Sequence, residues 1–143
     1  MSAHQARVAV VYLPAGDPGP LNAMARAMVG ALEAAGHRAE CFEAGGHGSP
    51  RLTGYDYVIL GTEGRGFGGR IPPRLRGFLA QAGTVSGKRS MAFVRKTGLS
   101  PAKALKRLMA AMESEGMLVN CAEIVAGGED AAAAVRAAPV ERK

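Results

Sequence analysis

The sequence predicts a three-layer α/β domain: a doubly wound parallel sheet of five strands with helices on both faces. Three observations predict it. Short apolar runs alternate with amphipathic segments of helical spacing along the whole 143 residues. One run, Tyr57-Val58-Ile59-Leu60, is unbroken, as in a strand buried on both faces. Glycine and proline punctuate the junctions between the two kinds of segment. Strands alternating with helices five times call for a parallel sheet, and right-handed crossovers then put helices on both of its faces.

The elements follow in order. The first strand, 7–12, runs into a loop over 13–22 that holds Pro14, Pro18 and Pro20. Asp17 followed by Pro18 reads as an N-cap with proline at the first helical position. The helix then carries Leu21, Met24, Ala25, Met28, Val29 and Leu32 on one face, and Gly36 ends it. His37 follows, where a helix C-terminus favours a basic group. The second strand, 39–42, is interrupted by a polar residue and reads as an edge. A loop at 45–50 contains His47, which reads as polar surface. The third strand, 57–60, opens into a glycine-rich loop over 61–70. Pro72 and Pro73 open the next helix, with Leu75, Phe78, Leu79 and Ala82 as its apolar stripe. The fourth strand is 90–94. Pro101 opens a helix with Leu105, Leu108, Met109 and Met112 on one face, where methionines at helical spacing are core. The fifth strand is 118–125. Gly127 and Gly128 lead to a last helix over about 129–138, which Pro139 stops.

Bulk properties bound the function. One domain, 1–143, is long enough to bury a full core. No apolar run approaches a membrane span. The first residues carry no apolar signal core, so a cytoplasmic protein without a membrane partner is expected. Cys41 and Cys121 suit that compartment as reduced, packed thiols. The net charge is +6, and it predicts an anionic ligand or an acidic partner protein. Aromatic residues are only 5% and there is no Trp, so nucleic-acid binding by base stacking is not expected. No His or Cys spacing fits a metal site, and no residue is assigned a catalytic role.

The first loop sits where such folds hold a phosphate, yet its prolines have no N–H to give and it has no Ser or Thr. A carboxylate, Asp17, is expected in the anion's place. The motif Gly64-Arg65-Gly66-Phe67-Gly68-Gly69 reads G-x-G-x-x-G. Pro72 and Pro73 delay the helix such a fingerprint needs, and no acidic residue follows at the right distance, so a nicotinamide site is discounted. In a parallel sheet the carboxyl ends of strands and the starts of the following helices share one edge. Arg65, Arg70, Arg74, Arg95, Lys96 and Lys103 map there, and Lys103, Lys106 and Arg107 stand early on their helix, against its dipole.

Residues 55–62, 69–75, 78–79 and 87–88 resemble the flavodoxin-like family, in Tyr-Asp-Tyr-Val-Ile-Leu-Gly-Thr, Gly-Arg-Ile-Pro-Pro-Arg-Leu, Phe-Leu and Gly-Lys. Ala104-Leu105, Leu108, Met112-Glu113 and Glu115-Gly116-Met117 add to the likeness, which spans nearly the whole chain. The resemblance implies strand order 2-1-3-4-5 and, with no insertion in the fifth strand, a short-chain member. It implies FMN at the carboxyl edge, passing electrons one at a time. On that order Cys41 and Cys121 lie on opposite edges, roughly 19 Å apart at normal strand spacing, beyond the reach of a disulfide. The first-loop residues match none of the family's hydroxyl positions, so no phosphate role carries over. The second contact loop corresponds to 62–69, where Thr62 matches a common Thr or Ser and Phe67 is the aromatic that would stack on the ring. The third corresponds to 95–98, where Gly98 matches. The implied cofactor-binding set is Thr62, Glu63, Gly64, Arg65, Gly66, Phe67, Gly68, Thr97 and Gly98. Two readings stand: an FMN-binding redox domain with a weakened or altered phosphate grip, and a cofactor-free binding module that uses the basic edge to hold an acidic partner or another anion.

Overall fold

Val, Ile, Tyr and Phe crowd the apolar runs, where their χ1 stiffness and flat packing favour strands. The computed structural model describes residues 5–44, 51–66, 68–98 and 100–141. The elements are β1 (Arg7–Leu13), α1 (Gly19–Ala34), β2 (Arg38–Glu43), β3 (Tyr57–Glu63), α2 (Arg74–Gln81), β4 (Arg89–Arg95), α3 (Pro101–Ser114), β5 (Leu118–Val125) and α4 (Gly128–Ala137). All strand pairs are parallel, and the order is β2-β1-β3-β4-β5. Both the three-layer class and the expected order hold.

Side chains alternate across the sheet with period two. Val8, Val10, Tyr12, Ile59, Met91 and Phe93 face α1 and α4. Ala9, Val11, Leu13, Val58, Leu60, Ala92 and Val94 face α2 and α3. The central β3 is buried along its whole length. Each Leu or Ile so buried stabilises the fold by about 1.5–3 kcal/mol. Cys41 and Cys121 sit on the two opposite edge strands, and both thiols are free.

Four details differ from the sequence expectation. The four expected α-helices are present, but the segment before β3 adds a short element the sequence did not predict. Between β2 and β3 stands a single 3-10 turn at Leu52–Gly54, and the expected loop at 45–50, with His47, lies outside the described residues. Leu52 and Tyr55 fill the core there. The buried Lys88 holds that connection by donating to the carbonyls of Thr53 and Tyr55. Second, β3 does not end at Leu60 but runs on through Thr62 and Glu63, because Thr62 pairs with Leu13 of β1 and Glu63 with Arg95 of β4. Third, α1 begins one residue late: Pro18 is the N-cap, and its carbonyl accepts the first helical bond from Asn22 N–H at 2.9 Å. Fourth, His37 lies beyond the last turn of α1, and its ring serves the start of β1: Nδ1 accepts the Ala6 N–H at 3.0 Å.

A register shift between Ser90 and Met91 leaves Asn120 unpaired on β5. The buried Tyr57 phenol donates to its Oδ1 at 2.7 Å. Burial, and behind it the neighbouring Cys121, raises the Tyr57 pKa well above the ordinary tyrosine value of 10.0. The folded state therefore holds the proton more tightly than the unfolded chain. That stability is complete below 10.0 and is lost as pH rises above it. Tyr57→Phe should cost about 1 kcal/mol at neutral pH, the worth of one hydrogen bond, and should soften the alkaline loss. Urea midpoints at neutral and strongly alkaline pH check this; a variant that loses stability with alkali as steeply as the parent refutes it.

Candidate functional site

The carboxyl ends of β1, β3 and β4 converge on one edge, and three loops meet there. The first, after β1, is sealed by the protein's own carboxylates. Ala15 N–H donates to Glu63 Oε2 at 2.8 Å, and Gly19 N–H donates to Asp17 Oδ1 at 3.0 Å. Pro14, Pro18 and Pro20 contribute no donors. Two first-loop amides thus donate to carboxylates of the chain itself, Asp17 at the helix start and Glu63 below it.

Glu63 is nearly buried, its side chain 5% exposed, and its second oxygen pairs with Arg95 Nε at 2.7 Å. Two residues of the implied cofactor set are therefore engaged in the scaffold. Glu63 ties β3 to β4 and to the first loop. Thr62 is fully buried, and its hydroxyl donates to the Leu13 carbonyl at 2.6 Å. Of the basic edge, Arg95 is engaged by Glu63, and Arg74 donates through Nη2 to the Pro14 carbonyl at 2.9 Å.

The second loop folds as a small hairpin. Arg65 and Arg70 exchange both backbone bonds, at 2.8 and 3.2 Å. Gly69 closes it with φ +63°, and a Cβ there would lie 2.7 Å from both Ser100 O and Ala104 N of α3. Only glycine permits that turn and that approach. The third glycine of the G-x-G-x-x-G pattern does pack on a helix start, but on α3 rather than on its own following helix, and the dinucleotide geometry is not reproduced. Arg107 Nε donates to Gly68 O at 3.0 Å and pins the hairpin to α3.

The third loop lies against the second. Thr97 Oγ1 donates to Gly64 O at 3.3 Å. Between them Gly64, Gly66, Gly69, Thr97, Gly98 and Ser100 enclose a crevice of about 80 Å³. Small-molecule pockets run to about 300–1,000 Å³. Phe67, the aromatic implied for stacking, lies outside the described residues. Two first-loop amides and the Thr62 hydroxyl are engaged within the protein in this conformation.

The open volume lies beside that slot. A cleft of about 640 Å³ is lined by Pro14, Ala15, Arg65, Arg70, Ile71, Pro72, Pro73 and Arg74. Arg65, Arg70 and Arg74 are exposed, and none of them makes an ion pair among the described residues. The structure brings these three basic residues together, as mapped from the sequence. Lys96 and Lys103, mapped to the same edge, do not line the cleft. The apolar wall of Ala15, Ile71 and Pro73 was not legible beforehand. Its signal in the sequence is the Ile71-Pro72-Pro73 run between Arg70 and Arg74, which belongs both to a helix start and to the flavodoxin-like resemblance.

No protein-family model matches the sequence, nor does any curated protein. Solved structures do match its shape. Flavodoxin 1 from Bacillus cereus superposes with a TM-score of 0.67 at 17% identity, covering 91% of this chain and 92% of that one. The two-electron reduced flavodoxin of Megasphaera elsdenii gives 0.66 at 19% identity, over 91% of this chain and 99% of that one. A short-chain flavodoxin associated with a non-canonical PDU bacterial microcompartment gives 0.71 at 13% identity, over 91% and 94%. Near-complete coverage of both chains, together with five parallel strands in the order β2-β1-β3-β4-β5, leads to one conclusion: this chain has the flavodoxin fold.

Proposed function

We propose that the working site is the arginine cleft beside the first loop, and that its ligand is a phosphorylated anion with an apolar body. One observation carries the reading: Arg65, Arg70 and Arg74, free of ion pairs among the described residues, stand around an apolar wall next to a phosphate loop that is closed. Guanidinium groups hold phosphate through paired, charge-assisted bonds. Ala15, Ile71 and the exposed Pro73 offer an apolar surface to the rest of the ligand.

FMN belongs to this class, and the flavodoxin fold makes it the first ligand to test. In this reading Arg65 and Arg70 hold its phosphate in place of the missing hydroxyls, and the protein is an electron-transfer carrier with an altered phosphate grip. When bound, the flavin would supply one-electron chemistry. The chain's own part is to bind the anion, orient it against the apolar wall and keep the first loop shut through Glu63.

The test is titration with FMN at low and moderate salt, read by quenching of flavin fluorescence. Saturable, stoichiometric binding is expected. The double variant R65A/R70A should weaken it about tenfold or more and flatten its salt dependence. Binding that is unchanged in the double variant removes the arginine cleft as the site. Absence of binding at high micromolar FMN favours the cofactor-free reading, which the engagement of the first-loop amides by Asp17 and Glu63 supports.

A further inference from the structure

A second concavity adjoins the first. Arg70, Ile71, Pro72, Pro73, Arg76, Arg107 and Ala110 line a groove of about 450 Å³ between α2 and α3. The three arginines come from three elements: the hairpin, α2 and α3. They surround an apolar floor, and no carboxylate lines the groove. None of the three makes an ion pair among the described residues. Ala110 and Pro73 are exposed, and Ile71 is half-buried. Pro72 and Pro73 have no N–H, so a partner cannot add as a strand here and must be recognised through side chains.

We propose that this groove docks a short acidic segment of a partner protein, with carboxylates on the arginines and an apolar side chain seated over Ile71 and Pro73. Charge complementarity chooses the occupant. Three forked cations from separate elements match carboxylates spaced along a peptide. The apolar floor between them matches an intervening aliphatic residue. Nucleic acid is the poorer match: among the described residues the groove offers no aromatic ring on which a base could stack. The groove shares Arg70, Ile71, Pro72 and Pro73 with the neighbouring cleft, whereas Arg76 and Arg107 belong to the groove alone, so a variant at Arg76 distinguishes the two sites.

The probe is a fluorescein-labelled peptide, Glu-Glu-Leu-Glu-Glu, titrated with the intact protein and followed by anisotropy at low and physiological salt. Saturable binding is expected. Arg76→Glu should weaken it about tenfold. The same reversal at Arg38, exposed at the start of β2 on the far end of the sheet, should change it less than about twofold. Serine in place of the leucine should weaken the probe severalfold. FMN or phosphate binding should be untouched by Arg76→Glu, which separates this groove from the arginine cleft. Three results would overturn the proposal. One is equal weakening by the two charge reversals, which would mean a general field effect. Another is tighter binding of a labelled oligothymidylate of equal charge, which would mean a nucleic-acid surface. The last is no peptide binding at low salt by protein whose circular dichroism and melting are intact.

Discussion

Replacing Glu63 by alanine is expected to destabilise the fold by about 3 kcal/mol, the low end for breaking a buried pair. The low end applies because the Arg95 side chain, at 30% exposure, keeps some water while Glu63 keeps almost none. The loss has two parts. Arg95 would be left without its counter-charge, and Ala15 N–H without its acceptor. Glu63→Gln separates them, because the amide oxygen can still accept from Ala15 while the ionic pair is gone. It should cost about half as much. Thermal melts would show the alanine variant lowered by roughly 10 °C. A fall of less than about a third of that would mean the tether between the first loop and β3 contributes little. The variant also bears on function, since freeing the Ala15 amide reopens an anion donor beside the arginine cleft. Phosphate binding by the alanine variant should be at least as tight as in the parent.

The second large effect is Gly61→Ala, expected to cost about 3 kcal/mol through overpacking. Gly61 lies opposite Phe93 on the neighbouring strand, and a Cβ there would stand 2.0 Å from Phe93 Cζ. Phe93 is fully buried between the sheet, α1 and α4, so its ring has no adjacent space to enter. The glycine is thus a packing residue that makes room for a ring, with no need of an unusual backbone angle. Phe93→Leu in the same chain should relieve part of the clash. Chemical denaturation of the two single variants and the double should give a coupling of about 1–2 kcal/mol in the favourable direction. Strict additivity would mean that the sheet, not the ring, absorbs the added methyl.

Much of the fold was legible because its signals are local. The stripe Leu21, Met24, Ala25, Met28 and Leu32 turned out to be the buried face of α1. The unbroken run at Tyr57 to Leu60 became the centre of the sheet. The stop of β3 was not legible: Gly61, Thr62 and Glu63 look like the start of a loop. They stay in the strand because partners on β1 and β4 take up their backbone groups. The 3-10 turn before β3 was not legible for the same reason, since Leu52 and Tyr55 cover the sheet without helical periodicity.

The candidate site divides in the same way. The sequence by itself determined that three residues of the first loop have no N–H to give and that the loop holds no Ser or Thr, because proline has no N–H wherever it stands. It also determined that basic residues collect at the carboxyl edge, because strand direction is set once the sheet is parallel. Only the tertiary structure decided that Glu63 closes the first loop across 48 positions of sequence. It alone decided that Gly69 lies on α3, and that Arg76 and Arg107 share a groove. The physical reason is range. Propensity and hydrophobic period act over a few residues, whereas an ion pair, a glycine contact or a cleft needs residues that only folding brings within a few ångströms.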